Sequence, residues 1–162
     1  MSELAGLKYQ VYLLTTQEAV ERQERSLNLL RKVPSLSNVC ILNSVRDVED
    51  TRRGCFNAHK RWAKHMIDND LDVAVVFEDD VFVNAEPEKI EDKCNESMVF
   101  LRSKAPRADV LFLGHMPLWR LTKLTANGGF VQCRYSTLTH AMLITRQFAE
   151  EVNQWEYTTG DH

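Results

Sequence analysis

Three acidic residues, Glu78, Asp79 and Asp80, follow directly on the most apolar run of the chain, residues 73–77. Like charges at adjacent positions repel one another, and partial burial at the end of a strand further disfavours their ionisation. Side chains alternate along extended chain, so we expect Glu78 and Asp80 on one side and Asp79 on the other. Two carboxylates on one side suit a hard divalent cation, Mn²⁺ or Mg²⁺, which keeps some waters and bridges to phosphate oxygens. The competing interpretation is a solvated turn whose acids favour the start of a following helix.

Gly54 and His59 form a second candidate group at the start of a helical pattern. Gly54 suits the turn into the helix. His59 shares a helical face with Phe56, Ala63 and Met66, and a histidine on such a face is most often a core residue. A helix N-terminus is also a ready anion site, where His59 could donate a hydrogen bond to a phosphate or position the acids. Both interpretations stay open.

Two tryptophans and a second histidine are weaker candidates. Trp62 and Trp119 could stack on a base or a sugar, although such residues more often pack in the core or at its rim. His65 points away from the face that carries His59, so we expect it at the surface.

Strand and helix patterns alternate along the chain, which predicts a single α/β domain with a mostly parallel central sheet flanked by helices. The predicted strands are residues 8–15, 38–42, 72–77, 109–113 and 139–144. The predicted helices are residues 17–32, 55–68, 87–103 and 146–155, and the segment 115–135 is irregular with a turn at 127–129.

The unusual residues fall where these strands end. They are Leu14 and Thr15, residues 54–59, residues 78–80, and Gly114 with His115. Parallel strands deliver their carboxyl ends to one edge of a sheet, and open α/β sheets bind ligands at that edge. We therefore expect these four segments to meet at a ligand site.

Length and composition restrict the class of protein. The 162 residues, 44% of them hydrophobic, are enough for one sizeable core, so residues 1–162 are expected to form one domain. A net charge of −3 without a basic excess argues against nucleic-acid binding. No apolar run is long enough to cross a bilayer, and no signal sequence is visible. The four cysteines are widely spaced, which fits a reducing cytoplasmic location.

Several short motifs follow one another along the chain. They are residues 11–14 with Arg22 and Arg25, residues 54–59 (GCFNAH) with Trp62, residues 75–81 (VVFEDDV), residues 109–114 (DVLFLG) and residues 139–144 (THAMLI). In this order they resemble glycosyltransferase family 25, which includes lipooligosaccharide galactosyltransferases and collagen galactosyltransferase domains. Any one of the motifs is weak, whereas the spacing from Gly-Cys…His to Glu-Asp-Asp is fairly specific.

The resemblance implies a Rossmann-like GT-A fold, a UDP-sugar donor, a divalent cation, and a glycan or glycoprotein acceptor that provides a hydroxyl group. It also implies the roles of individual residues. Glu78, Asp80 and His162 would hold Mn²⁺ or Mg²⁺, and Asp161 would be the catalytic base on the acceptor hydroxyl. The residues near the donor would be Leu14, Thr15, Arg25, His59, Glu78 and Asp79.

The chain departs from the family pattern at two places. Ala58 replaces the usual serine before His59, which removes a hydroxyl group. The chain also stops at His162, where the family continues, so residues 1–162 are either the donor-binding part of a longer protein or a naturally minimal protein. These departures keep open a degenerate module that binds nucleotide or glycan without turnover. A receiver-like signalling domain fits poorly, because its first strand should end in acids and this one ends Leu-Leu-Thr-Thr.

Overall fold

A computed structural model describes residues 2–82, 85–104, 110–117, 125–127, 130–132 and 136–158. The strands in these ranges are β1 (Ser2–Leu4), β2 (Leu7–Thr16), β3 (Val39–Ser44), β4 (Val73–Glu78), β5 (Val110–Pro117), β6 (Thr125–Asn127), β7 (Phe130–Gln132) and β8 (Ser136–Thr145). The α-helices are α1 (Val20–Leu30), α2 (Thr51–Asp68), α3 (Pro87–Lys104) and α4 (Arg146–Gln154), with a short 3-10 helix at Pro34–Leu36.

Six strands form one mixed sheet in which β2 is the most extensively paired strand. Strands β3 and β4 lie parallel to β2 on its two sides, and β1 pairs antiparallel with the start of β2. Strand β8 lies between β4 and β5 and runs antiparallel to both, so β5 has the direction of β4. Four of the six strands therefore share one direction, and the predicted α/β class with a mostly parallel sheet is confirmed. Strands β6 and β7 form a separate antiparallel pair.

Helices cover both faces of the sheet, which explains the near-continuous apolar runs of its strands. On one face, Leu13 and Val75 pack in a core cluster with residues of α1 and α3, such as Leu30 and Met98. On the other face, Val76 packs in a second cluster with residues of α2 and α4. Each face thus has its own core.

The pairing register brings the strand ends level with one another. Leu14 lies opposite both Leu42 of β3 and Glu78 of β4. Ala141 of β8 pairs with both Phe77 and Gly114, so Gly114 is level with the end of β4. Gly114 and His115 lie within β5 rather than after it, because the strand extends to Pro117 instead of ending at 113.

Two helices begin elsewhere than the sequence predicted. Helix α1 begins at Val20, three residues late. Helix α2 begins at Thr51, four residues early, because the carboxylate of Asp50 accepts hydrogen bonds from the amides of Arg52 and Arg53 and caps the helix there. The strand at Ser2–Leu4 was not predicted, since three residues carry no readable alternation. The predicted turn at 127–129 lies partly outside the described residues.

His65 is not the surface residue that its position on the helix predicted. It is half-buried, and its Nδ1 atom lies 2.8 Å from the hydroxyl of Tyr12, which is fully buried. The buried hydroxyl needs a partner, and the neighbouring imidazole provides one.

Candidate active site

A cleft of about 980 Å³ opens at the carboxyl-terminal edge of the sheet. The ends of β2, β3 and β4 form its floor, and the first turns of α1 and α2 form its walls. Amide groups at a helix N-terminus lack partners within the helix and favour anions. The cleft therefore lies at the predicted edge. No side chain of the described residues caps the amides at the start of α1, whereas Asp50 already caps those of α2.

The acidic triplet lies in this cleft, but its three residues have different environments. Glu78 ends β4 and is partly buried, Asp79 is 8% exposed, and Asp80 is exposed. The amide of Val81 donates to the carbonyl of Glu78 at 3.1 Å, which closes a turn. Simple alternation of an extended chain therefore stops at Glu78, and the turn rather than the strand sets the direction of Asp80.

Asp79 ties three elements together. Its Oδ2 atom accepts a hydrogen bond of 2.7 Å from the hydroxyl of Thr15 and lies 3.5 Å from a guanidinium nitrogen of Arg22. Its main-chain carbonyl accepts a bond of 3.0 Å from the hydroxyl of Ser26 on α1. These contacts join the ends of β2 and β4 to α1. The Asp79 carboxylate therefore has partners within the protein, the hydroxyl of Thr15 and the guanidinium of Arg22.

Arg22, rather than Arg25, lies at the cleft. Arg22 is among the lining residues, whereas Arg25 is exposed and is not among them. Arg22 belongs to the first helical turn, whereas Arg25 lies about 4.5 Å further along the axis. The three adjacent acids were the sequence signal for a nearby cation, although the sequence could not say that Arg22 lies beside Asp79.

His59 connects the helix wall to the triplet. Its Nε2 atom lies 3.9 Å from Glu78, and its Nδ1 atom accepts a hydrogen bond of 3.0 Å from the indole N–H of Trp62. Burial lowers the pKa of His59, but the neighbouring Cys55 and Glu78 together outweigh burial and raise it to about 9. The Trp62 bond opposes the charged form, because an indole only donates and imidazolium has no lone pair. Trp62 itself is 1% exposed, so it packs in the core and does not face a ligand.

The loop before α2 forms a rigid part of the wall. Asp47 receives hydrogen bonds of 2.6 and 3.0 Å from Arg53, which lower its pKa to about 2. A Cβ atom on Gly54 would lie 3.0 Å from the Cβ of Asp47, so a larger residue here would have to displace Asp47 by a few tenths of an ångström. The hydroxyl of Tyr157, in the segment after α4, donates to the capping carboxylate of Asp50. This bond connects the cleft wall to the C-terminal part of the described chain.

Among the described residues around the cleft, acidic side chains outnumber basic ones. Two arginines of this part of the chain, Arg22 and Arg46, line it, and Arg22 is paired with Asp79. The lining carboxylates are those of Glu18, Glu21, Asp47, Glu78, Asp79 and Asp80. A phosphate group entering alone would therefore meet a field of its own sign. Within the described ranges, no three His, Cys, Asp or Glu side chains are arranged to hold a metal ion by themselves.

The structure brings most of the predicted site residues together. Arg25 lies outside the lining, and Asp161 and His162 lie outside the described residues. The sequence prediction missed Arg46, Asp47 and the acids of the α1 wall, since nothing in a loop sequence shows which residues face inward. The predicted residues that line the cleft are Leu14, Thr15, His59, Glu78, Asp79 and Asp80.

The fold and the cleft define a Rossmann-like α/β protein with an acidic site at the carboxyl edge of its sheet. The model of glycosyltransferase family 25 (LPS biosynthesis protein) matches residues 18–116, more than half of the chain. The chain therefore belongs to glycosyltransferase family 25. The matched range includes the walls of the cleft, the acidic triplet and most of β5. No curated protein matches the chain.

Two solved structures are among those similar to this chain. One is CMP:2-keto-3-deoxy-manno-octonic acid synthetase complexed with CTP, with a TM-score of 0.52 and 10% identity over 94% of this chain and 80% of that one. The other is a cytidylyltransferase from Leptospira borgpetersenii serovar Hardjo-bovis, with a TM-score of 0.47 and 11% identity over 90% of this chain and 63% of that one. The first likeness supports the Rossmann-like fold. In the described part of the chain, no helix has the length and apolarity needed to cross a membrane.

Proposed function

We propose that this glycosyltransferase binds a UDP-sugar in the acidic cleft with the help of Mn²⁺ or Mg²⁺ and transfers the sugar to a hydroxyl group of a glycan or glycoprotein. The observation that carries the proposal is the position of the acidic triplet, in a family 25 chain, on the floor of a cleft with a carboxylate excess. A diphosphate enters such a cleft favourably only with a cation that offsets the excess. The proposal thus makes cation and donor binding interdependent.

The residues present fit a cation of this kind. Glu78 and Asp80 flank the inward-facing Asp79 and line the cleft. Mg²⁺ and similar ions often take only one or two protein carboxylates and complete their shell with water and phosphate oxygens. When bound, the cation would stabilise the negative charge that develops on the leaving diphosphate. The role of His162 as a further ligand stays a prediction.

The other lining residues would serve the donor in separate ways. Arg22 would contact a donor oxygen while Asp79 holds its guanidinium in place. His59, with the indole of Trp62 on Nδ1, would direct its Nε2 hydrogen toward Glu78 and keep that carboxylate oriented. Leu14 and Thr15 form the floor beneath the donor. Asp161 as the base on the acceptor hydroxyl remains part of the proposal.

Donor hydrolysis and transfer test this function. The purified chain is incubated with UDP-glucose, UDP-galactose or UDP-N-acetylglucosamine, with Mn²⁺ or with EDTA, and released UDP is measured. We expect release from at least one donor with Mn²⁺, none with EDTA, and a loss of at least about a hundredfold in Asp80→Asn. Release that is equally fast with EDTA would contradict the proposed role of the cation.

A degenerate module is the second candidate, and one observation favours it. Ala58 lines the cleft beside His59, so the hydroxyl that the family has at this position is missing from the site itself. Such a module would bind UDP with Mn²⁺ but release none from UDP-sugars. Restoring the hydroxyl with Ala58→Ser tests this directly. Turnover gained only in Ala58→Ser supports the module, whereas turnover by the natural chain excludes it.

A further inference from the structure

Phe82 is an exposed aromatic residue just beyond the acidic triplet. Its exposure is 80%, whereas the preceding Val81 is 4% exposed and belongs to the core cluster beneath α1 and α3. The turn closed between Val81 and Glu78 fixes this arrangement. Val81 is thus anchored inward, and Phe82 is presented to solvent next to it.

Phe82 lies near the cleft without lining it. Asp80 is a lining residue, and Phe82 follows it by two positions, so their backbones lie no more than about 7 Å apart. The residues that would contact a donor lie further inside, between β2, β4 and α1. Phe82 therefore lies outside the lining but close to the part of it where the acidic triplet ends.

We propose, resting on the proposed function, that Phe82 is a stacking surface for a pyranose ring of the acceptor. In a sugar transfer, the acceptor hydroxyl must reach the donor carbon that is bonded to the diphosphate, and in this site that carbon lies near the triplet. One face of a pyranose presents C–H groups, and an aromatic ring provides a flat apolar surface for them at low conformational cost. Phe82 thus contributes to the specificity for the acceptor, whereas other residues contact the donor.

Saturation-transfer NMR tests this assignment on the whole chain. The probes are methyl β-D-galactopyranoside, methyl β-D-glucopyranoside and methyl 2-acetamido-2-deoxy-β-D-glucopyranoside, each with and without UDP and Mn²⁺. We expect at least one glycoside to receive saturation from the natural protein, with the C–H protons of one ring face strongest. Phe82→Ala should weaken its affinity about fivefold to tenfold, and Phe82→Tyr should retain it.

Val99→Ala is the matched control, because Val99 is also an exposed apolar residue but lies on α3. It should leave glycoside binding unchanged. The assignment is overturned if Phe82→Ala binds the glycosides as the natural protein does, or if none of them receives saturation. It is also overturned if Phe82→Ala changes a dimer into a monomer in size-exclusion chromatography, because the ring then covers an interface.

The donor site is measured separately, so the two proposals can fail independently. The rise in melting temperature with UDP and Mn²⁺ should be the same in Phe82→Ala and the natural protein. If that rise is absent from both proteins, the proposed donor fails while glycoside binding still decides the role of Phe82. If the rise is present and Phe82→Ala binds the glycosides with unchanged affinity, only the proposed stacking role of Phe82 is wrong.

Discussion

Replacing Asp79 by asparagine removes one charge from the triplet at the position where the charge is held inside the protein. The Thr15 hydroxyl donates to this carboxylate over 2.7 Å. A hydrogen bond to a charged acceptor contributes about 1.5–3 kcal/mol and a neutral one about 0.5–1.5 kcal/mol, so the exchange costs about 1 kcal/mol. The half-exposed Arg22 pair at 3.5 Å is screened by water and adds no more than about 1 kcal/mol.

The expected loss in the free energy of unfolding is therefore about 1–2 kcal/mol, which corresponds to about 2–8 °C in melting temperature for a chain of this size. Asp80→Asn is the matched control, because the same chemical change occurs there at an exposed position, where water screens the interactions of a carboxylate. It should change the free energy of unfolding by less than about 0.5 kcal/mol.

Thermal unfolding in EDTA, followed by unfolding with UDP and Mn²⁺, separates the two acids. Asp79→Asn should melt lower than the natural protein in EDTA. Asp80→Asn should melt normally in EDTA and lose the rise caused by UDP with Mn²⁺. The reasoning is refuted if Asp79→Asn melts at the natural temperature, or if Asp80→Asn is the less stable of the two in EDTA.

Three further predictions concern the wall formed by α2. Gly54→Ala gains about 1 kcal/mol in helix propensity, but the contact with Asp47, which Arg53 holds in place, should outweigh this gain. Denaturant titration should therefore show lower stability for Gly54→Ala, whereas Asn57→Ala, at an exposed position of the same helix, should gain up to about 0.7 kcal/mol. The pKa of His59 is raised from 6.5 to about 9, so its contribution to stability is complete below pH 6.5 and is lost as the pH rises to 9. In EDTA the free energy of unfolding of the natural protein should therefore fall between pH 6.5 and pH 9 by up to about 3 kcal/mol more than that of His59→Gln. If the free energies of the two proteins change in parallel with pH, this prediction is wrong. Trp62→Phe removes the hydrogen-bond donor to Nδ1 of His59 and should therefore raise the pKa of His59 further, as measured by NMR titration. A lower pKa of His59 in this variant would show that the bond does not favour the neutral ring.

The sequence predicted the sheet and the place of the cleft because both depend on strong local signals. The apolar run before Glu78 and the alternation of strand and helix patterns are readable without tertiary contacts. Helix starts were less readable. Several polar residues near Asp50 could cap the helix according to the sequence alone. Only the structure shows that the Asp50 carboxylate accepts hydrogen bonds from the first amides of α2.

The individual roles in the cleft depended on contacts between distant parts of the chain. Arg22 and Arg25 are chemically equivalent in the sequence, and the packing of α1 against the sheet decides which one reaches Asp79. His65 was predicted at the surface because its partner, the hydroxyl of Tyr12, lies in another element 53 residues away. Such pairings follow from packing, which one sequence does not display.

The most direct test of the central claim is the melting temperature of the natural protein with UDP, GDP, CMP or ADP, each with Mn²⁺ or with EDTA. A ligand that binds only the folded state stabilises it by about 2.7 kcal/mol at a hundred times its Kd. We predict a rise of about 5–10 °C for UDP with Mn²⁺ and none for UDP with EDTA. No rise with UDP and Mn²⁺, or an equal rise with EDTA, would contradict the account of the acidic cleft as a cation-dependent donor site.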